Sequence, residues 1–347
     1  MARLDPEKMV LATREQTQTA HTTAVEDFLG RGMTNVIGLA EGIKWRNGEP
    51  TGEPALVVLV TAKIPQDQLA SKDVVPAQLS GMQTDVLDVG PVFAGGEGIA
   101  QDADVQTLAK RIRPAQGGYS VGHKNITAGT IATCVYDILP GGSINPPAHG
   151  IGIPAKYYIL SNNHVLANSN AGAIGDAVLQ PGPFDGGTDP ADRIATLARF
   201  VPIQFNPPIP LPQQQNLVDC AVAVGEFHDL NREVYWSGYV RGWRRKTNVT
   251  VGTLVKKTGR TTNFTIGRIT AVNATIDVNY GGGRVARLKE QIVTTNMSAG
   301  GDSGSLVMTL DNLAVGLLFA GSATSMIANQ IENVRALLRV EVAEQIL

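Results

Sequence analysis

The chain has 347 residues, 43% of them hydrophobic, and 29 Lys and Arg against 31 Asp and Glu give a net charge of −2. Such a composition suits a globular protein with ample core, in two domains or one large one, and the balanced charge gives no reason to expect a nucleic-acid partner. No apolar run reaches the ~18 residues of a membrane helix, and the N-terminal Arg3, Asp5, Glu7 and Lys8 leave no room for the apolar core of a signal peptide. The two cysteines, Cys134 and Cys220, sit singly in apolar runs instead of forming a disulfide framework. A cytoplasmic protein without membrane contact is therefore expected. His21, His123, His149, His164 and His228 show no ligand spacing, and no Cys-X-X-Cys or phosphate-binding loop occurs, so neither metal nor cofactor is expected.

Residues 5–30 carry Met9, Leu11, Ala24, Val25, Phe28 and Leu29 at helical spacing and predict one or two helices. Residues 34–44 and 55–63 are β-rich, and Asn47-Gly48 between them predicts a hairpin. Residues 65–80 include a short helix candidate, and residues 85–89 return as a strand. Together these make an α+β N-terminal domain over residues 1–92. Residues 93–118, with glycine-rich patches and a short polar helix, read as a linker. Residues 119–347 form the remaining domain.

From Gly129 onward β-runs alternate with turn signals at short intervals, the pattern of an all-β barrel or sandwich. Residues 168–215 are rich in Gly and Pro and end in Asn206-Pro207-Pro208-Ile209-Pro210-Leu211-Pro212, so they read as a surface excursion, either a plain loop or one wall of a cleft. Arg241, Arg244, Arg245, Lys246, Lys256 and Lys257 form a basic cluster that reads as a solvated hairpin. Gly281-Gly282-Gly283 reads as a hairpin tip, residues 313–322 as a strand, and residues 328–346 as a C-terminal helix.

Three segments carry chemistry. In Ser298-Ala299-Gly300-Gly301-Asp302-Ser303-Gly304-Ser305 a hydroxyl stands on a tight loop whose glycines permit backbone angles closed to other residues. In Tyr157-Tyr158-Ile159-Leu160-Ser161-Asn162-Asn163-His164 an apolar strand ends in a polar turn and a histidine. In Asn216-Leu217-Val218-Asp219-Cys220-Ala221-Val222 an aspartate interrupts an apolar strand, where a buried carboxylate needs a partner such as an imidazole N–H. In that strand Cys220 points away from Asp219. The order His, Asp, Ser is that of chymotrypsin-like serine proteases, whose nucleophile loop reads Gly-Asp-Ser-Gly.

Lys257-Thr258-Gly259-Arg260-Thr261-Thr262 also resembles the Gly-Arg-Thr-Thr strand of bacterial members of that class. Together with Gly129-Thr130-Ile131 and the looser Gly52-Glu53-Pro54-Ala55-Leu56 and Gly81-Met82-Gln83-Thr84, these segments resemble the NARROW LEAF 1-like group, plant trypsin-like proteases and their bacterial relatives, over residues ~30 to ~340. The resemblance implies a mainly β, chymotrypsin-like double β-barrel preceded by the α+β unit and closed by the C-terminal helix. It implies a serine endopeptidase acting on protein or peptide substrates through His164, Asp219 and Ser303, with the N–H groups of Gly301 and Ser303 as oxyanion hole. Two alternatives stand beside it: a silent protease-fold scaffold, and a processing enzyme dedicated to one substrate. The strand after the nucleophile, with Phe319 and Gly321, would line the cleft and add a substrate strand at its edge. Met297, six residues before Ser303, would sit at the base of the pocket for the residue preceding the scissile bond, P1, and disfavour Lys or Arg there. No Ile-Val-Gly-Gly start precedes Gly129, the nearest analogue being Gly117-Gly118-Tyr119, so Asp302 is expected to have an internal partner. The N-terminal unit carries no chemical motif, and its expected role is self-association into a homo-oligomer or presentation of the substrate, with assembly favoured.

Overall fold

The computed structural model describes residues 14–95, 107–126 and 128–347. The fold is mainly β. The helix Arg14–Phe28 lays Ala20, Ala24 and Phe28 on Leu39, Leu56 and Val58 of a hairpin. That hairpin pairs Val36–Arg46 with Glu49–Val60, turning at Asn47 (φ 53°) and Gly48 (φ 80°), as the Asn-Gly pair requires. Strand Met82–Asp88 joins it in parallel. The helix candidate in residues 65–80 is two single 3₁₀ turns, Gln66–Gln68 and Ser71–Asp73. The start of the N-terminal helical stretch and the short polar helix expected near residue 100 lie outside the described residues.

Two curled sheets follow. The first is eight-stranded. After the edge strand Val340–Glu341 it runs through Thr133–Asp137, Tyr157–Ser161, Ala221–Gly225, Arg193–Phe200, Ala177–Leu179 and Ser120–His123 to Gly129–Thr130. Because Gly129–Thr130 leads within three residues into Thr133–Asp137, the sheet curls back on its own beginning. Val121, Ile131, Cys134, Ile159, Val178, Leu197 and Ala223 fill it.

The second sheet closes completely. Leu254–Gly259, Leu306–Thr309, Leu313–Gly321, Ser325–Gln330, Val285–Thr295 and Asn263–Asn279 pair in turn, and the last returns to the first. Its core holds Val255, Ile269, Ile292, Val307, Val315 and Met326. The expected double barrel is thus present, with Trp243, Cys220, Leu306, Leu317 and the C-terminal helix packed between the sheets.

Four features depart from the sequence reading. The 17-residue strand Asn263–Asn279 also pairs with Val36–Arg46, so the N-terminal strands extend the second barrel's sheet instead of standing clear of it. Residues 168–215 hold two barrel strands, Ala177–Leu179 and Arg193–Phe200, which the surrounding Gly and Pro disguise. The basic cluster is not a solvated hairpin throughout, because Lys257 is fully buried. The terminal helix is only Ile331–Leu338, since residues 325–330 are drawn into the barrel as a strand and Arg339 ends the helix in the left-handed region. Among the described residues no helix is long and apolar enough to cross a membrane.

Candidate active site

His164 stands on a single helical turn, Asn163–Leu166, at the end of strand Tyr157–Ser161. The turn is pinned by buried amides. Asn162 Nδ2 donates to Asp219 O at 2.8 Å, and Asn163 Nδ2 donates to Val201 O at 2.7 Å and Asn170 Oδ1 at 2.8 Å. Asp219 lies just before strand Ala221–Gly225 and is fully buried. One of its oxygens meets His164 Nδ1 at 2.6 Å, and the other accepts the His164 backbone N–H at 3.1 Å. Cys220 turns the opposite way into the inter-barrel core, as strand alternation requires.

Two residues that sequence reasoning missed complete the Asp219 setting. Tyr280, at the end of the long strand, donates its hydroxyl to Asp219 Oδ2 at 2.9 Å. Burial, and then the Asp219 charge, push the Tyr280 hydroxyl pKa well up, so it stays a donor. Asn329 accepts the Asp219 N–H at 3.0 Å and is fixed in turn by Gln291 at 2.8 Å. Both come from the second barrel, so the barrels meet at this carboxylate. The only sequence signal for either is a polar residue beside apolar strand residues, as in Met326-Ile327-Ala328-Asn329.

The Gly301-to-Ser305 loop belongs to the second barrel. Gly304 has φ +94°, and a Cβ there would strike Ser161 Oγ and Thr130 O, so only glycine fits. Asp302 is fully buried and ion-paired with buried Lys257 Nζ at 2.9 Å. Its oxygens also accept from Thr262 Oγ1 at 2.6 Å and from the backbone N–H groups of Thr261 (2.8 Å), Thr262 (3.2 Å) and Ala299 (3.0 Å). Burial alone would raise the Asp302 pKa, but Lys257 and these donors outweigh it and hold the carboxyl below its ordinary range. Lys257 is therefore the internal partner expected for Asp302.

Ser303 is buried. Its loop lies against the His164 turn, because a Cβ on Gly129 would meet both Val165 and Ser303 O. Ser303 Oγ donates to Phe319 O at 3.4 Å, and His164 Nε2 has no hydrogen-bond partner among the described residues. The two segments thus adjoin, and no direct bond joins the Ser303 and His164 side chains. The amides of Gly301 and Ser303 have no acceptor among the described residues, whereas Asp302 N–H donates to Ala299 O at 3.0 Å. The Phe319 side chain is buried in core, so this residue offers its backbone and not its side chain. Met297 is buried among second-barrel core residues and packs near Gly267. It is not one of the residues lining the groove beside His164, which are Asn125, Ile126, Asn168, Ser169, Phe184, Tyr280 and Ala94. Asn168, Ser169 and Phe184 bring the 168–215 stretch to that groove.

No family model matches the chain. Over 69 residues it is 45% identical to glutamyl endopeptidase 2 of Streptomyces griseus, a match covering 20% of this chain and 34% of that protein. The chain thus spans about a third of the length of the curated relative it matches. A solved structure of a glutamic-acid-specific serine protease, described as using a histidine triad in substrate binding, aligns over 65% of this chain and 99% of its own, at TM-score 0.44 and 19% identity. Cellulomonas bogoriensis chymotrypsin aligns over 66% of this chain and 98% of its own, at TM-score 0.41 and 18% identity. Likeness at this level carries no argument about chemistry.

Proposed function

We propose that this protein is a serine endopeptidase. The observation that carries the reading is the 2.6 Å contact of His164 Nδ1 with buried Asp219, which leaves Nε2 unpaired beside the Ser303 loop. Ser303 Oγ turns from Phe319 O toward Nε2, gives its proton to the imidazole and attacks a peptide carbonyl. Asp219 keeps the ring in the tautomer that accepts at Nε2 and stabilises the imidazolium that forms. The Gly301 and Ser303 amides take the negative charge of the tetrahedral intermediate. The imidazolium then protonates the leaving amine, and water hydrolyses the acyl-enzyme by the same route.

The sequence resemblance to NARROW LEAF 1-like proteases agrees with this reading. A reducing, cytoplasmic setting is supported by Cys134 and Cys220, both buried free thiols, with burial pushing the Cys134 pKa up to about 12. The P1 residue is proposed not to be Lys or Arg, because among the described residues no Asp or Glu lines the groove beside His164. Homo-oligomerisation is assigned to the N-terminal unit, whose groove beside Val36, Val60, Ile64 and Val86 is largely apolar. A silent scaffold is the second reading, and the Ser303 bond to Phe319 O in place of His164 favours it. Cleavage profiling on a peptide library decides between them. Wild type is expected to cut, with no basic P1 preference, and Ser303→Ala to be inert. Equal profiles from the two proteins overturn the peptidase reading.

A further inference from the structure

The edge of strand Leu313–Gly321, which on the peptidase reading receives the substrate, is already paired with a segment of the same chain. Phe93–Ala94 runs antiparallel to it, with Ala94 opposite Ala320 and Phe93 opposite Gly321. One residue further on, Gly95 N–H donates to Phe319 O at 3.2 Å, the same carbonyl that receives Ser303 Oγ. The other side of Phe93 pairs with Asn279, and Asn279 N–H donates to Val92 O at 3.1 Å. Ala94 also lines the groove beside His164 and Tyr280. A peptide adding itself to this edge would need the same main-chain groups.

The segment follows a substrate's path but leaves it at Gly95. There φ is +87°, in the left-handed region, where an extended substrate residue with a side chain does not go. Among the described residues, chain neighbours aside, no atom lies within 4 Å of where a Cβ on Gly95 would stand, so the backbone turn and not crowding calls for this glycine. Upstream, Val89 O accepts from Ser322 Oγ, and Val89 N–H donates to Val60 O at 2.9 Å. The segment is thus tied both to the candidate cleft and to the N-terminal strands.

Resting on the peptidase reading, we infer that Phe93–Gly95 is an autoinhibitory strap: it occupies the peptide-binding edge in the resting protein, and substrate binds only when it is displaced. A cleft open for a fraction of the time binds with an apparent affinity reduced by that fraction. Loosening the strap therefore lowers KM and leaves kcat unchanged.

Gly95→Pro removes the N–H given to Phe319 O and forbids the positive φ. Gly95→Ala keeps the N–H and strains the φ, so its effect falls between. Because the strap is held partly by one net hydrogen bond at this point, Gly95→Pro is expected to lower KM about five- to tenfold. A measurement independent of catalysis uses Ser303→Ala protein with and without Gly95→Pro, titrated with a fluorescein-labelled Val-Phe-Ala-Ala-amide peptide, with thermal melting as the fold check. The expected result is binding about five- to tenfold tighter in the double variant. Equal Kd values overturn the strap, and so does absence of binding by both proteins, since an edge that takes no peptide has nothing to exclude. Failure of the peptidase reading shows separately, as equal hydrolysis by wild type and Ser303→Ala, while the pair of Kd values still decides the strap.

Discussion

Two fully buried carboxylates flank the candidate site, and the chain treats them in opposite ways. Asp302 is saturated: a buried ammonium, a threonine hydroxyl and three backbone amides converge on it. Among the described residues Asp219 has no Lys or Arg partner, and its donors are an imidazole, a phenol and a backbone N–H. A formal charge pair with a full shell of donors fixes one loop geometry and gives no freedom to the group it holds. On the proposed mechanism a carboxylate faced by an imidazole is different, because its charge stabilises a proton that arrives on the ring during turnover. The Asp302 region thus reads as scaffold and the Asp219 region as chemistry, and substitutions should separate stability from activity along that line.

The largest effect is expected at Asp219. On the proposed mechanism Asp219→Asn keeps the geometry, presents the wrong histidine tautomer and lowers kcat by roughly 10⁴-fold, with little change in urea-unfolding midpoint. A large stability loss with unchanged kcat would reverse the comparison. Next comes Lys257→Met, which leaves the Asp302 charge buried and unpaired. A loss of about 3–5 kcal/mol in unfolding free energy is expected, mostly recovered when Asp302→Asn is added.

The same pair sets an acid limit. The folded Asp302 pKa lies below the unfolded value of about 3.9, so its contribution is complete above that pH and lost as pH falls through the folded value. Unfolding midpoints measured from pH 6 downward should therefore drop below about pH 4 in wild type, and less steeply in the Lys257→Met, Asp302→Asn double variant. A smaller effect belongs to Tyr280→Phe. Removing one hydrogen bond to a charged group costs about 1.5–3 kcal/mol, read as a lower kcat with KM held. Should Tyr280→Phe lower only stability, its bond to Asp219 is packing support alone.

The two regions were not equally legible in the sequence. His164 and Asp219 could be paired because an aspartate in an apolar strand demands a donor, and Gly304 because only glycine fits its φ. Asn47-Gly48 fixed the first hairpin by local turn chemistry. Lys257 was hidden by its neighbours, since a lysine beside Lys256 in a basic run reads as solvent-facing, and strand alternation alone does not say which of the two turns inward. Tyr280 and Asn329 reach Asp219 across barrels, a relation set by the register of long-range pairs. Phe93–Ala94 is a two-residue strand in glycine-rich sequence and exists only because Leu313–Gly321 and Asn263–Asn279 leave edges for it. The terminal helix lost its first residues to the barrel because tertiary pairing overrides local propensity.

The most direct test of the central claim is covalent. Wild type, His164→Ala and Ser303→Ala are treated with a fluorophosphonate at neutral pH and analysed by intact mass and peptide mapping. A Ser303 nucleophile activated by His164 gives one adduct per wild-type chain, located on Ser303, much slower labelling of His164→Ala and none of Ser303→Ala. Folded wild-type protein that stays unlabelled, or labels at the same rate without His164, would contradict it.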